Sequence, residues 1–90
     1  MEYRLQISDD ALDDLRRLDK AVTKRILKKL RFFITSGKPL EFAEHLTDFQ
    51  EGEYRFHIGH YRATFDAKYK GRAVCVVSIL LIDHRKDVYR

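Results

Sequence analysis

Three side chains that could bind or cleave an anion lie on either side of Gly59-His60: Arg55, His57 and Arg62. This dipeptide suits a tight two-residue turn, with glycine at a positive φ, between two predicted strands. Such a turn places His57 opposite Arg62, and side chains alternate across each strand. The three basic side chains are therefore predicted to share one face of a sheet. Their mutual repulsion there favours an anionic ligand.

The other side of the same hairpin is apolar and is predicted to face the core. It carries alternate residues of the two strands: Tyr54, Phe56, Ile58, Tyr61, Ala63 and Phe65. The basic side is open to a second interpretation, in which water surrounds its side chains or Glu53 and Asp66 neutralise them.

The C-terminal segment adds a second group of reactive residues directly after an apolar strand: His84, Arg85, Lys86 and Tyr89. Cleavage of a phosphodiester needs cations that stabilise the charge on the phosphorus oxygens and a group that moves protons on and off oxygen. No metal is required if the nucleophile is a ribose 2′-hydroxyl. His84 and His57 titrate near neutral pH, whereas Tyr89 needs nearby cations to lower its pKa, so the identity of the base is open. Composition alone favours a frayed terminus for this segment.

Other reactive groups are poor candidates for a site. Cys75 stands in an apolar run and is predicted to be a small core residue rather than a nucleophile. His57 and His60 have a spacing like that of a ligand pair, but one lies on a strand, the other lies in the turn, and no third ligand is fixed nearby. We therefore predict no metal and, without a glycine-rich phosphate loop, no small-molecule cofactor.

Apolar periodicity predicts the elements that position these residues. Tyr3–Ile7 alternates as a strand, Ser8 is a natural N-cap, and a short helix follows that ends near Leu18. A longer helix is predicted from Lys20 to Ser36. The basic side of this helix is interpreted as a solvated surface, in preference to a surface that binds nucleic acid.

The second half of the chain is predicted to be mostly sheet. Residues 40–52 are interpreted as a loop or a single helical turn, and Ala73–Ile82, apolar on both faces, is predicted to be a central strand. The predicted fold class is α+β: an N-terminal strand and a two-helix hairpin packed on a mostly antiparallel four-stranded sheet.

Length and charge narrow the classes of function. Ninety residues allow one domain, residues 1–90, and exclude a doubly wound cofactor fold or a barrel. Residues 1–54 carry ten basic and eleven acidic side chains, whereas residues 55–90 carry eight basic and three acidic ones. This asymmetry is compatible with a polyanionic partner. The chain has one cysteine and no signal-peptide pattern, which favours a location in the cytoplasm. Its apolar stretches are too interrupted by charge to span a bilayer, so we expect no membrane association.

Two motifs resemble those of a known family. Residues 52–65, GEYRFHIGHYRATF, resemble the signature G-x-Y-R-x-R-x-G-x-Y-R-h-x-Y of the RelE/ParE superfamily of toxin–antitoxin toxins, and residues 84–89, HRKDVY, resemble its terminal H-R-x-x-V-Y. The resemblance implies a RelE-like fold for the whole chain. It also implies a metal-free endoribonuclease that enters the ribosomal A site, cuts mRNA by 2′-hydroxyl attack, and is neutralised by a cognate antitoxin.

The resemblance also assigns roles to particular residues. It gives catalytic roles to Arg62, which would hold the scissile phosphate, and to Arg85 and Tyr89 of the terminal motif. Arg55 and His57 match basic positions on the first hairpin strand. His84 is a further catalytic candidate, Lys86 a further substrate-binding candidate, and the apolar residues Leu27 and Ile34 are candidate antitoxin contacts.

Two departures from the family pattern keep other functions open. His57 replaces the more usual lysine or arginine, so that its charge depends on pH. Asp83 replaces the usual glycine before His-Arg, where it could pair with Arg85 or face away from the site. The alternatives are a ParE-like inhibitor of DNA gyrase and a decayed, non-catalytic toxin that only binds antitoxin.

Overall fold

The computed structural model describes residues 1–47 and 52–84. Its elements follow the chain as β1 (Glu2–Ile7), α1 (Asp9–Arg16), α2 (Lys20–Thr35), a 3₁₀ turn (Pro39–Phe42), β2 (Ala43–His45), β3 (Tyr54–Ile58), β4 (Tyr61–Lys70) and β5 (Val74–His84). The strands form one sheet in the order β1-β5-β4-β3-β2. Strands β1 and β5 are parallel, and the other neighbours are antiparallel. The predicted α+β class is confirmed.

The sheet has five strands where the sequence predicts four. The stretch 40–52, interpreted from sequence as a loop or a single helical turn, contains most of the 3₁₀ turn Pro39–Phe42 and also the short strand β2. Three residues are too few to show a period-two pattern. Strand β2 is defined by its pairing with β3, in which Ala43 lies opposite Phe56 and His45 opposite Tyr54. A long-range partner of this kind cannot be read from local sequence.

Ser8 caps α1 as predicted and also ties this helix to β5. Its side-chain oxygen accepts a hydrogen bond from the Ala11 amide at 3.1 Å, and its hydroxyl donates to the Leu80 carbonyl at 3.0 Å. Helix α1 ends at Arg16, slightly earlier than predicted, and α2 agrees with its predicted span to within one residue. One side chain therefore fixes both the start of α1 and its position on the sheet.

The core lies between the two helices and one face of the sheet. Phe56 is fully buried, with its ring centroid 4.4 Å from that of Phe33 on α2 and 4.3 Å from that of Phe65 on β4. The buried apolar cluster comprises Ala11, Leu15, Ile26, Leu30, Phe33, Phe56, Ile58, Ala63, Phe65, Val77, Ile79 and Ile82. We call the side of β3, β4 and β5 that faces away from this cluster the outer face.

Strand β5 carries one residue more than the stretch of β4 opposite it. Phe65 lies opposite Ile79, whereas the preceding residue, Thr64, lies opposite Leu81. Leu80 is thus the extra residue of a β-bulge, and a bulge shifts the register by one for every pair beyond it. The side chains at the end of β5 consequently lie on the faces opposite to those that a regular ladder would give.

Candidate functional site on the outer face

The β3–β4 hairpin has the register predicted from its turn. Gly59 has φ of 61°, and His57 lies opposite Arg62 and Arg55 opposite Thr64. Because opposed residues point to the same side, the three predicted basic residues share the outer face. The two-residue turn therefore brings together Arg55, His57 and Arg62 from the two strands.

Arg62 lies on β4, the middle strand of this face, and is held by a carboxylate. Its side chain is 8% exposed, and its Nη2 and Nε donate to the two oxygens of Asp83 at 2.6 and 3.3 Å. Asp83 is the direct partner of Arg62 across β4 and β5. The bulge at Leu80 produces this match, since a regular ladder would place Ile82 opposite Arg62. Asp83 therefore does not face away from the site, one of the two arrangements considered for it; the other, pairing with Arg85, lies outside the described residues.

His57 also has an acidic neighbour. Its Nε2 lies 3.1 Å from Oε1 of Glu44 on β2, and both side chains are about half exposed, at 52% and 54%. An exposed pair of this kind contributes about 0–1 kcal/mol, so His57 stays available to a ligand. The sequence offered Glu53 and Asp66 as neutralising groups. Both instead accept hydrogen bonds from backbone amides.

Arg55 and Thr64 form a cross-strand pair beside Arg62. Among the described residues Arg55 has no ion pair, and its Nε and the Thr64 hydroxyl are buried without a hydrogen-bond partner. Gly52 lies close to Thr64: a Cβ at residue 52 would come within 2.8 Å of Thr64 Cγ2. Sequence analysis missed Thr64 as a site residue. Its register opposite Arg55 was the available signal.

His84 lies on the other side of the sheet from Arg62. It is the cross-strand partner of Tyr61, and the two rings meet edge to face with centroids 4.9 Å apart. With Asp14 of α1 and Arg17, which follows that helix, it lines a cavity of about 300 Å³ on the helix side. His84, a catalytic candidate from the sequence, therefore does not share a face with Arg55, His57 and Arg62, because the bulge places it on the opposite face.

Three predicted site residues, Arg85, Lys86 and Tyr89, lie outside the described residues. They follow directly after His84, where β5 ends. Their roles stay predictions.

The described residues give little support to other chemistry. Cys75 is fully buried, and burial raises the pKa of its thiol, as expected of a core cysteine. Within residues 1–47 and 52–84, no three histidine, cysteine or acidic side chains come together as a metal site would require. No helix in the same ranges is long and apolar enough to cross a membrane.

The arrangement can bind an anion on the outer face. Arg55 and Arg62 supply guanidinium donors, and His57 supplies a ring nitrogen that can form a hydrogen bond to a ligand. Asp83 already occupies one edge of the Arg62 guanidinium, so this cation is the least available of the three.

Comparisons with known proteins agree with this architecture. A crystal structure of the toxin–antitoxin complex RelBE2 from Mycobacterium tuberculosis contains a chain that is 22% identical, with a TM-score of 0.70 over 94% of this chain and 100% of the other. A chain of the archaeal RelE–RelB complex from Pyrococcus horikoshii OT3 is 24% identical, with a TM-score of 0.65 over 94% and 97%. A chain of the RelB–RelE complex from Methanococcus jannaschii is 17% identical, with a TM-score of 0.58 over 93% and 94%. These likenesses establish the fold.

The family is established by sequence. No curated protein matches the chain. The model of the family described as "ParE toxin of type II toxin-antitoxin system, parDE" matches residues 5–89, which include both motifs. The protein therefore belongs to the ParE toxin family of type II toxin–antitoxin systems, within the RelE/ParE superfamily.

Proposed function

We propose that this toxin is a ribosome-dependent endoribonuclease that cuts mRNA without a metal and acts in the cytoplasm. The observation that carries the proposal is the convergence of Arg55, His57 and Arg62 on one face of the β3–β4 hairpin. A scissile phosphate against this face would receive guanidinium donors from two strands, where negative charge develops during phosphoryl transfer. The ribosome would position the mRNA against this face and so supply the orientation that the reaction needs.

The proposed reaction is an internal transesterification. The ribose 2′-oxygen attacks phosphorus and its proton passes to a base, while the P–O5′ bond breaks and O5′ takes up a proton. The products are a 2′,3′-cyclic phosphate and a 5′-hydroxyl. Of the two histidines that were candidate bases, His57 shares the outer face with Arg62 and His84 does not. We therefore favour His57 as the base over His84; Tyr89 stays a third candidate.

We further propose that a cognate antitoxin neutralises this chain. The three similar structures are RelB–RelE-type toxin–antitoxin complexes. The two helices leave a groove of about 700 Å³ between them, in which Leu18, Ala21 and Leu27 contribute apolar surface. Leu27 is exposed and suits an antitoxin contact, whereas Ile34 packs against the core and offers less surface.

A second candidate function is inhibition of DNA gyrase. It is favoured by the match to the ParE family and by the Arg62–Asp83 pair, which reduces the positive charge available to a scissile phosphate. In this alternative the outer face needs no base and no free guanidinium. Purified protein would then inhibit supercoiling and leave translated mRNA intact.

The experiment compares inducible expression of the wild type, Arg55→Gln and the control Arg72→Gln. Arg55 is a half-buried residue of the outer face, whereas Arg72 is exposed in the β4–β5 turn. Growth is followed together with primer extension on a translated mRNA. We expect the wild type and Arg72→Gln to arrest growth and cut the message, and Arg55→Gln to cut it at least about tenfold more slowly.

Each other outcome rejects part of the proposal. Undiminished cutting by Arg55→Gln would reject the site. Growth arrest without cutting, with supercoiling inhibited in vitro, would favour the gyrase alternative. Tight antitoxin binding with no effect on growth would indicate a decayed toxin.

A further inference from the structure

We propose that Asp83 is a positioning residue that controls the affinity of the outer face for phosphate by competing for Arg62. The inference rests on the proposed function in taking a phosphodiester as the ligand. The sequence offered only Arg85 as a partner for Asp83, whereas the described residues pair its carboxylate with the Arg62 guanidinium.

The hydrogen bonds define which edge of Arg62 is occupied. Asp83 accepts from Nε and Nη2, which form the side-on edge of the guanidinium. That edge matches a carboxylate or a phosphate in a bidentate manner, so the two anions require the same donors. A phosphate must therefore displace Asp83 or bind through the remaining N–H groups of Nη1 and Nη2.

Burial makes the competition effective. The Arg62 side chain is 8% exposed and the Asp83 side chain 25% exposed, so water screens their interaction less than it screens the exposed pair of His57 and Glu44. A phosphate near Arg62 meets a pair with no net charge, and the Asp83 carboxylate repels it. Asp83 thus lowers the affinity of the site in the unbound protein.

The backbone fixes this arrangement. The extra residue Leu80 in β5 places Asp83 opposite Arg62, and the Ser8 hydroxyl holds the Leu80 carbonyl at 3.0 Å. On the far side of the bulge, the Ile82 amide donates to Asp14 of α1 at 2.9 Å. Helix α1 and its N-cap residue thus secure β5 at the bulge and just beyond it, and Asp83 cannot move away by a simple register slip.

The test measures binding of a short RNA in which every ribose is 2′-O-methylated and therefore cannot be cut. Its dissociation constant is determined at one fixed salt concentration for the full-length wild type and for Asp83→Asn. We expect Asp83→Asn to bind on the order of tenfold more tightly, because the charge of Arg62 is then uncompensated. The double variant Arg62→Gln/Asp83→Asn should lose this gain.

The control Asp13→Asn removes the same charge from an exposed pair on α1, where Asp13 binds Arg16 at 2.8 Å. Its affinity should stay within about twofold of the wild type. Equal or weaker binding by Asp83→Asn would overturn the proposal, because Asp83 would then support Arg62 instead of competing with the ligand.

A second measurement covers the case in which Asp83→Asn does not fold. Inorganic phosphate is titrated into the wild type while NMR follows the Arg62 Nε–H and the Asp83 carboxyl carbon. Competition predicts that both signals move with the same apparent dissociation constant. A phosphate-dependent shift elsewhere on the outer face with both signals unmoved, or no binding at all, would reject competition.

The outcomes separate this inference from the proposed function. If mRNA is not cut and Asp83→Asn still binds the methylated RNA more tightly, the proposed function fails and the role of Asp83 stands. If mRNA is cut and Asp83→Asn gains no affinity, the proposed function stands and the role of Asp83 is rejected.

Discussion

Replacing Arg62 by alanine is expected to destabilise the protein strongly, whatever it does to activity. Removing one member of a buried ion pair leaves the other charge without a partner, which costs about 3–5 kcal/mol. Asp83 keeps 25% of its side chain exposed, so the lower end of this range, about 3 kcal/mol, applies here. This is a large share of the roughly 5–15 kcal/mol that stabilises a typical domain.

Urea unfolding provides the assay. For a small protein the free energy of unfolding falls by about 1–3 kcal/mol per molar urea, so a loss of about 3 kcal/mol lowers the midpoint by about 1–3 M. Asp83→Ala and the double variant Arg62→Ala/Asp83→Ala complete a double-mutant cycle with the wild type and Arg62→Ala. We expect the double variant to cost less than the sum of the two single ones, with a coupling of about 2 kcal/mol, because neither charge is then stranded. Arg72→Ala, at an exposed turn position, should change stability by no more than about 0.5 kcal/mol.

Two results would refute this reasoning. Arg62→Ala could cost less than about 1 kcal/mol, which would mean that water reaches Asp83 and solvates it once the guanidinium is gone. Alternatively the single costs could simply add, which would mean that the two side chains do not interact energetically. The prediction also has a practical consequence: loss of toxicity in Arg62→Ala identifies a functional residue only if the variant is shown to be folded.

Three further predictions concern the fold that supports the outer face. Phe56→Ala should lower the free energy of unfolding by about 3–5 kcal/mol in urea, because it empties a fully buried position between two other rings; a loss below about 1 kcal/mol would contradict the packing. Ser8→Ala should lower the free energy of unfolding by about 1–2 kcal/mol, because it removes both the α1 cap and the hydrogen bond to the Leu80 carbonyl. An unchanged midpoint of thermal unfolding would refute this dual role. Cys75 should react with iodoacetamide far more slowly in the native protein than in the urea-unfolded protein, because its side chain is buried. Burial also raises the pKa of its thiol, so an increase in pH above neutrality should accelerate the reaction of the native protein less than that of the unfolded protein. Comparable rates in the two states would contradict its burial.

Local sequence was sufficient to predict those structural features whose contacts join residues close together along the chain. The turn at Gly59 fixes the β3–β4 register within a few residues, so the shared face of Arg55, His57 and Arg62 follows from counting. The Ser8 cap and the spans of the helices were likewise predictable, since propensity and the 3.6-residue period act over one or two turns.

Long-range pairing was not predictable in the same way. Strand β2 supplies Glu44 to His57, yet three residues carry no recognisable strand pattern. The bulge at Leu80 is equally hidden, because a strand whose sequence is apolar on both faces shows no alternation from which a register could be counted. Both features depend on backbone partners far away in the sequence.

By itself the sequence determined the α+β class, the basic character of the hairpin and the resemblance to RelE/ParE toxins. Only the tertiary structure decided which groups face one another. One extra residue in β5 turns Asp83 toward Arg62 and moves His84 to the opposite side of the sheet. The physical reason is the two-residue period of a strand: a shift of one residue exchanges the two faces, and no local pattern in the sequence records where that shift occurs.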